Sequence, residues 1–205
     1  MTILSITTFV SLDGVMQAPG GASEDPSGGF AHGGWVIPHF DARMGAFMTE
    51  IFGRAGAFLL GRGTYDIFAS HWPKVTDAND PIAGPLNRLP KYVASRTLAR
   101  ADWAGSTVVS DPVAELAALK RRHAGELQVH GSAALASSLL RAGVVDELNV
   151  LTFPVVLGAG KRLFPNEGAS AAWALASHAV SDGGVVMARY RKGGAVCHAD
   201  APPPA

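Results

Sequence analysis

Cysteine is almost missing from this chain. Cys197 is the single one in 205 residues, so an internal disulfide cannot form. Net charge is missing too, because 17 Lys and Arg balance 17 Asp and Glu. The one basic run is Lys120, Arg121 and Arg122, which is too short for a nucleic-acid surface, so no nucleic-acid partner is expected. No apolar stretch approaches the roughly 18 residues a membrane span needs, and no membrane partner is expected. The opening Met1, Thr2, Ile3 and Leu4 lacks a basic segment, so no secretory leader is read and a cytoplasmic location is expected.

Familiar site motifs are also absent. Gly61, Arg62 and Gly63 continue into Thr64, Tyr65 and Asp66, without the third glycine of the common dinucleotide fingerprint. Gly158, Ala159 and Gly160 fail in the same way, and Val155 stands where a phosphate loop needs its first glycine. Ser132 lacks the flanking glycines of a nucleophile elbow. The histidines (His32, His39, His71, His123, His130, His178 and His198) show no metal-ligand spacing, so no metal is assigned.

What remains is a core-forming composition, with 48% hydrophobic and 17% charged residues. One domain is expected over residues 1–192, followed by an Ala-, Gly- and Pro-rich disordered tail over 193–205. Residues 3–10 are β-branched and apolar and read as a buried first strand. Seven glycines then lie between Gly14 and Gly34, a long loop that reads as a binding lid or a surface insertion. In residues 38–52, Met44, Phe47, Met48, Ile51 and Phe52 recur at helical spacing, with Gly53 as the stop. A strand over 57–60, a helix over 64–70, a loop over 74–90, and short strands over 92–94 and 107–109 follow. Asp111 and Pro112 open a helix that closes with Lys120, Arg121 and Arg122. The pattern continues with a strand over 127–130, a helix to Arg141, a long strand over 145–156, and closing strands over 174–180 and 185–191. This alternation predicts an α/β fold, a mixed and mostly parallel sheet with helices on both faces.

Three strand ends share one chemistry. Gly61, Arg62, Gly63 and Thr64 follow one strand, Ser95, Arg96 and Thr97 a second, and Gly131, Ser132 and Ala133 a third. Helix N-termini with small residues let a backbone approach phosphates, and an Arg suits an extra phosphate. Alone, the first of these is equally an ordinary turn. Ligands of open α/β sheets sit outside the carboxyl ends of the strands.

These segments resemble the dihydrofolate-reductase-like superfamily, in its bacterial branch related to the riboflavin-biosynthesis reductase domain. The carrying residues are the Ser11–Leu12–Asp13–Gly14 turn, the Leu59 to Tyr65 segment, Ser95–Arg96–Thr97 and the Val129 to Leu135 segment. To these add Gly143 to Leu148, Pro154 to Gly160, and Leu163–Phe164. The likeness spans about residues 3–191. It implies a three-layer fold of about eight strands that binds NADPH. By this likeness Gly61 to Thr64 hold phosphates, Arg62 or Arg96 meets a 2′-phosphate, and Ser95 and Thr97 flank adenosine. Gly131, Ser132, Ala133 and Leu135 cover the pyrophosphate, and the backbone around Phe9 faces the nicotinamide. The Gly-rich loop resembles the mobile loop that closes over nicotinamide. The zinc deaminase that often accompanies the riboflavin reductase is absent, since its signature needs paired cysteines.

The implied activity is reduction of a small planar heterocycle, pterin- or pyrimidine-like. A non-catalytic NADPH-binding or sensor module is the alternative. Hydride transfer to C=N also needs a proton. Asp13 and Asp41 are the carboxylates placed near the pocket, each also readable structurally, Asp13 as a turn former and Asp41 as a helix cap. Trp35 either stacks on a substrate or anchors the loop. Lys161 and Arg162 either meet a ribose phosphate or form a solvated turn. His130 precedes Gly131 and reads as packing. A homodimer is expected from apolar strand or helix faces.

Overall fold

The computed structural model describes residues 2–166, 168 and 170–199. Eight strands form one sheet: β1 (Leu4–Ser11), β2 (Ala55–Gly61), β3 (Lys91–Ala94), β4 (Ser106–Val109), β5 (Glu126–His130), β6 (Glu147–Phe153), β7 (Ala172–Val180) and β8 (Val186–Gly194). Their spatial order is β4-β3-β2-β5-β1-β6-β8-β7. Every pair from β4 to β6 is parallel, and β8 alone runs against its neighbours. The expected α/β fold, with a mixed and mostly parallel sheet, is what forms.

Five helices cover the sheet: α1 (Ala42–Gly53), α2 (Arg62–His71), α3 (Ala83–Arg88), α4 (Pro112–Arg122) and α5 (Ala133–Arg141). Alternation along the strands splits the core into two layers. On one face Leu4, Ile6, Leu127 and Val129 pack with Leu116 and Leu119 of α4 and Leu135 and Leu139 of α5. On the other, Phe58, Leu60, Leu151 and Phe153 meet Met44, Met48, Ile51 and Phe52 of α1. The helical spacing read in residues 38–52 is thus the buried stripe of α1. The helix itself starts later, because the Asp41 side chain caps it at Met44 N, 2.9 Å away.

Several boundaries differ from the expectations. The segment expected as a loop over 74–90 contains α3. Its start is set by Asp80, whose carboxylate accepts from Ile82 N and Ala83 N at 2.9 and 2.7 Å. Its end is held by the buried Lys91, which donates to the Leu86 and Leu89 carbonyls at 2.7 and 2.9 Å. Neither partner is visible in a six-residue apolar pattern that contains Pro85. The strand expected over 145–156 spans Glu147–Phe153 only, because Pro154 cannot extend the ladder. The closing strands run longer than expected, and β8 carries through Gly194, so the expected tail does not begin at Gly193. Residues 200–205 of that expected tail lie outside the described residues.

Gly56 marks a tight crossing. A Cβ there would stand 1.9 Å from the Ala124 carbonyl oxygen, where β2 bulges against β5. Gly56→Ala is expected to destabilise the fold by about 2–3 kcal/mol, as an overpacked backbone contact does. Urea unfolding of the purified variant measures it, and an unchanged midpoint refutes the crossing.

Candidate functional site

The parallel register lines up the strand ends. Gly61 lies opposite Ala94, so Ser95 follows at the same edge. Phe58 lies opposite Gln128, and Thr7 opposite His130, which sets Gly61, Thr8 and Gly131 level. From β2 to β6 is three strand spacings, roughly 14 Å. The edge therefore suits an extended ligand.

Two of the three expected corners touch. The Ser132 hydroxyl donates to Thr64 Oγ1 at 2.7 Å and accepts from Gly61 N at 3.0 Å. This binds the start of α2 to the start of α5. Gly61 is close to Ser132: a Cβ there would sit 2.8 Å from Ser132 Oγ. Ser132 adopts a left-handed backbone with φ 59°. That conformation costs a non-glycine residue on the order of 1 kcal/mol, which the two hydrogen bonds offset. Neither helix N-terminus is capped by a side chain. Their first N–H groups stay open at one edge, with the positive dipole ends converging. Half-exposed Ala133 borders this opening, and Leu135 is buried beneath it.

The third corner stands beside them. Ser95 Oγ accepts from Thr97 N and Leu98 N at 3.3 and 3.0 Å, which shapes the turn after β3. Arg96 and Thr97 are exposed, and Arg96 makes no ion pair among the described residues. Arg62 is placed differently. Its Nε lies 2.8 and 2.7 Å from the two carboxylate oxygens of Asp66, so it folds back along α2. Of the two arginines, Arg96 is the one free to reach a phosphate. Gly63 is exposed on the first turn of α2.

The two carboxylates expected to supply a proton are fasteners instead. Asp13 accepts from Ser11 Oγ at 2.6 Å, Leu157 N at 3.1 Å and Gly158 N at 2.9 Å. Those bonds, the Ser11 hydroxyl foremost, hold its pKa down to about 2. Asp41 accepts from Met44 N and Gly183 N, both at 2.9 Å, and these bonds also lower its pKa. A carboxylate held ionised by N–H donors has no proton to give near neutral pH. The catalytic reading of Asp13 and Asp41 is therefore corrected to a positioning one.

The Gly-rich loop is likewise tied down. Lys161 N donates to Gln17 Oε1 at 3.0 Å, Met16 N to the Lys161 carbonyl at 2.8 Å, and Lys161 Nζ pairs with Asp25 at 2.6 Å. Arg162 reaches Asp13 at 3.4 Å. Lys161 and Arg162 are thus spent on the loop. Trp35 donates from Nε1 to the Gln17 carbonyl at 2.8 Å and is buried, so it anchors the loop.

At the ends of β1 and β6 an aromatic wall forms. Phe9, Trp35 and His39 each stand edge-on to Phe153, with ring centres 5.7, 5.2 and 6.0 Å away. Phe9 was expected here through its backbone. His39 was not expected: an isolated histidine after Pro38 carries no spacing signal, and only the fold brings it beside β6. A separate concavity of about 660 Å³ lies between α2, Asn87 and residues 102–104. Its carboxylates, Asp66 and Asp102, are paired with Arg62 and Arg100, and it lies away from the convergent strand ends.

The RibD C-terminal domain family matches residues 2–187. The chain belongs to that family. The Bacillus subtilis (strain 168) protein called "Uncharacterized protein YyaP" is 28% identical over 157 residues, 76% of each chain. A candidate riboflavin biosynthesis protein from Shewanella sp. PV-4 shares the fold with a TM-score of 0.66 at 19% identity, over 94% of this chain and 99% of that one. Dihydrofolate reductase from Enterococcus faecalis, complexed with NADP(H), aligns with a TM-score of 0.56 at 13% identity, over 93% of this chain and 96% of that one. The fold is a reductase-type, dihydrofolate-reductase-like one. No helix among the described residues is long and apolar enough to cross a membrane.

His130, just before the Gly131 corner, packs as expected. It stacks on Phe52 with ring centres 4.4 Å apart, and burial lowers its pKa from 6.5 to about 3. The unfolded chain therefore binds a proton that the fold refuses. Stability is full above about pH 6.5 and falls as pH drops toward 3. Between pH 7 and pH 5 the native protein should lose about 2 kcal/mol more than His130→Phe. Urea unfolding at the two pH values reads the difference, and parallel losses would remove His130 from the acid response.

Proposed function

We propose that this chain is an NADPH-dependent reductase of a small planar heterocycle, pterin- or pyrimidine-like. One observation carries the reading: two uncapped helix N-termini meet at Gly61, Thr64, Gly131 and Ser132, with the unpaired Arg96 beside them. The open N–H groups of α2 and α5 suit a pyrophosphate. Gly61 and Gly131 let the backbone approach it, and the Thr64 hydroxyl faces the same opening. Ser95 and Thr97 border the adenosine end, with Arg96 against a 2′-phosphate.

When bound, the dihydronicotinamide supplies the hydride. The residues of this chain position and shield. The backbone at Phe9 lies at the nicotinamide end, two strand spacings from Gly61. The anchored loop and the Trp35 side chain keep water from that end, which strengthens the electrostatics there.

Isothermal titration should show NADPH binding more tightly than NADH. Arg96→Ala should reduce that preference by roughly 1.5–3 kcal/mol, the range for a charge-assisted contact. Arg62→Ala should have the smaller effect, since its guanidinium is held by Asp66. Equal weakening of NADPH and NADH by Arg96→Ala would reassign it to folding.

The fastened Asp13 and Asp41 favour a second reading, a non-catalytic NADPH-binding module. It gains if NADPH binds but is not consumed with a dihydropterin, a flavin precursor, a nitro compound or a quinone. We also propose a homodimer. Leu175 and Val180 on the edge strand β7, with Val186 on β8, are 53%, 47% and 42% exposed, an apolar surface suited to a second copy. Light scattering should give twice the 21.2 kDa chain mass, and a single-chain mass would refute it.

A further inference from the structure

The concavity between α2, Asn87 and residues 102–104 takes no part in the reductase reading. Its volume of about 660 Å³ is ample for a small molecule. Its walls come from separate parts of the chain, and each is fastened to Trp103. Trp103 N donates to the Tyr65 hydroxyl at 3.1 Å, which holds α2. Trp103 Nε1 donates to Asn87 Oδ1 at 3.2 Å, which holds α3. The Asn87 amide donates in turn to the Trp72 and Val75 carbonyls at 3.0 and 3.2 Å, on either side of Pro73. Tyr65 and Trp103 are both buried, with ring centres 6.4 Å apart. The concavity is therefore built into the fold.

Its polar groups define what fits. The Tyr65 hydroxyl accepts one bond, and its own proton has no acceptor among the described residues. Asp66 and Asp102 stand at the lining as acceptors. Each is paired with an exposed arginine, Arg62 at 2.7 Å and Arg100 at 3.0 Å, and such pairs are weak in water. Arg100 meets Oδ1 of Asp102 and leaves Oδ2 open. The Ser70 hydroxyl donates to the Ile67 carbonyl, so it offers only lone pairs. No cation lines the concavity among the described residues. The Lys91 ammonium lies against the Trp103 ring instead, 4.5 Å from its centre, where it is buried and bound to the Leu86 and Leu89 carbonyls. That charge opposes a second cation on the same ring, and the two carboxylates oppose an anion. A neutral flat ring that accepts from Tyr65 and donates to a carboxylate meets neither penalty.

We propose that this concavity is a second binding site, for a small, neutral, planar cyclic amide, a ring with N–H beside C=O. The ring C=O accepts the Tyr65 hydroxyl proton, and the ring N–H donates to Asp102. The rest of the ring lies on the apolar lining of Ala69, Pro73 and Ala104. None of Gly61, Thr64, Arg96 and Gly131 lines the concavity, so the site is independent of the reductase reading.

The test uses the full chain and uracil as the probe, with benzamidine and benzoate as flat cationic and anionic counterparts. Amide NMR of the isotope-labelled protein reads each titration. Uracil should bind with a Kd on the order of 1 mM, ordinary for so small a ring. It should shift the Trp103 indole N–H and the backbone signals of residues 65–70 and 102–104, and benzamidine and benzoate should leave them in place. Tyr65→Phe keeps the ring and should weaken uracil about 10-fold, the worth of one hydrogen bond. Asp102→Ala changes an exposed side chain, so it folds even where Tyr65→Phe does not, and it should weaken uracil a few-fold. Saturating NADPH should leave the uracil affinity unchanged. The proposal is overturned by no shift up to the solubility limit of uracil, by shifts that gather at Phe9 and Gly131, by equal binding of either charged ring, or by an unmoved affinity in the folded variants. Absence of NADPH binding by the parent sinks the reductase reading and leaves this site standing.

Discussion

The parallel register of β3, β2, β5, β1 and β6 is the constraint on which the rest depends. Parallel pairing brings all their carboxyl ends to one edge. The pairings of Gly61 with Ala94, Phe58 with Gln128 and Thr7 with His130 set Gly61, Gly131 and Thr8 level. Residues 71 positions apart then meet, as in the bond from Gly61 N to Ser132 Oγ. A slip of one residue in any pairing would turn the buried rows outward and part the two helix starts.

Around that edge the work divides by chemistry. Backbone N–H groups and small residues occupy the β2 and β5 ends. Rings occupy the β1 and β6 ends. The carboxylates Asp13 and Asp41 stitch loops together. Asp13 ties the turn after β1 to residues 157–158, and Asp41 ties the start of α1 to the β7–β8 turn. Ionised carboxylates are good acceptors for several N–H donors, and the same bonds that make them strong fasteners deprive them of a proton.

Much of this was legible in the residues. The stripe of Met44, Met48, Ile51 and Phe52, the cap and proline at Asp111 and Pro112, and the apolar run before Gly61 each report a local preference that the fold keeps. The small residues at Gly61, Gly131 and Ser132 read as room for phosphates; in the fold Gly61 and Ser132 stand close to each other. The α3 helix was hidden because its supports, Asp80 and Lys91, act through backbone groups that no periodicity reveals. The Gly-rich loop read as a lid because glycine suggests freedom. In the fold it is clamped where Gln17 and Asp25 meet Lys161 and Asp13 meets Arg162, partners far away in the chain.

By itself the sequence determined the α/β alternation, the faces that become the core and the three strand ends suited to an anionic ligand. These follow from periodicity, turn chemistry and residue size, all local properties. Tertiary structure alone decided which side chains remain free to act. It turned Arg62 onto Asp66 and left Arg96 open, spent Asp13 and Asp41 on backbone N–H groups, and set His39 beside Phe153. A side chain's availability depends on every neighbour that competes for it, and those neighbours come from distant parts of the chain.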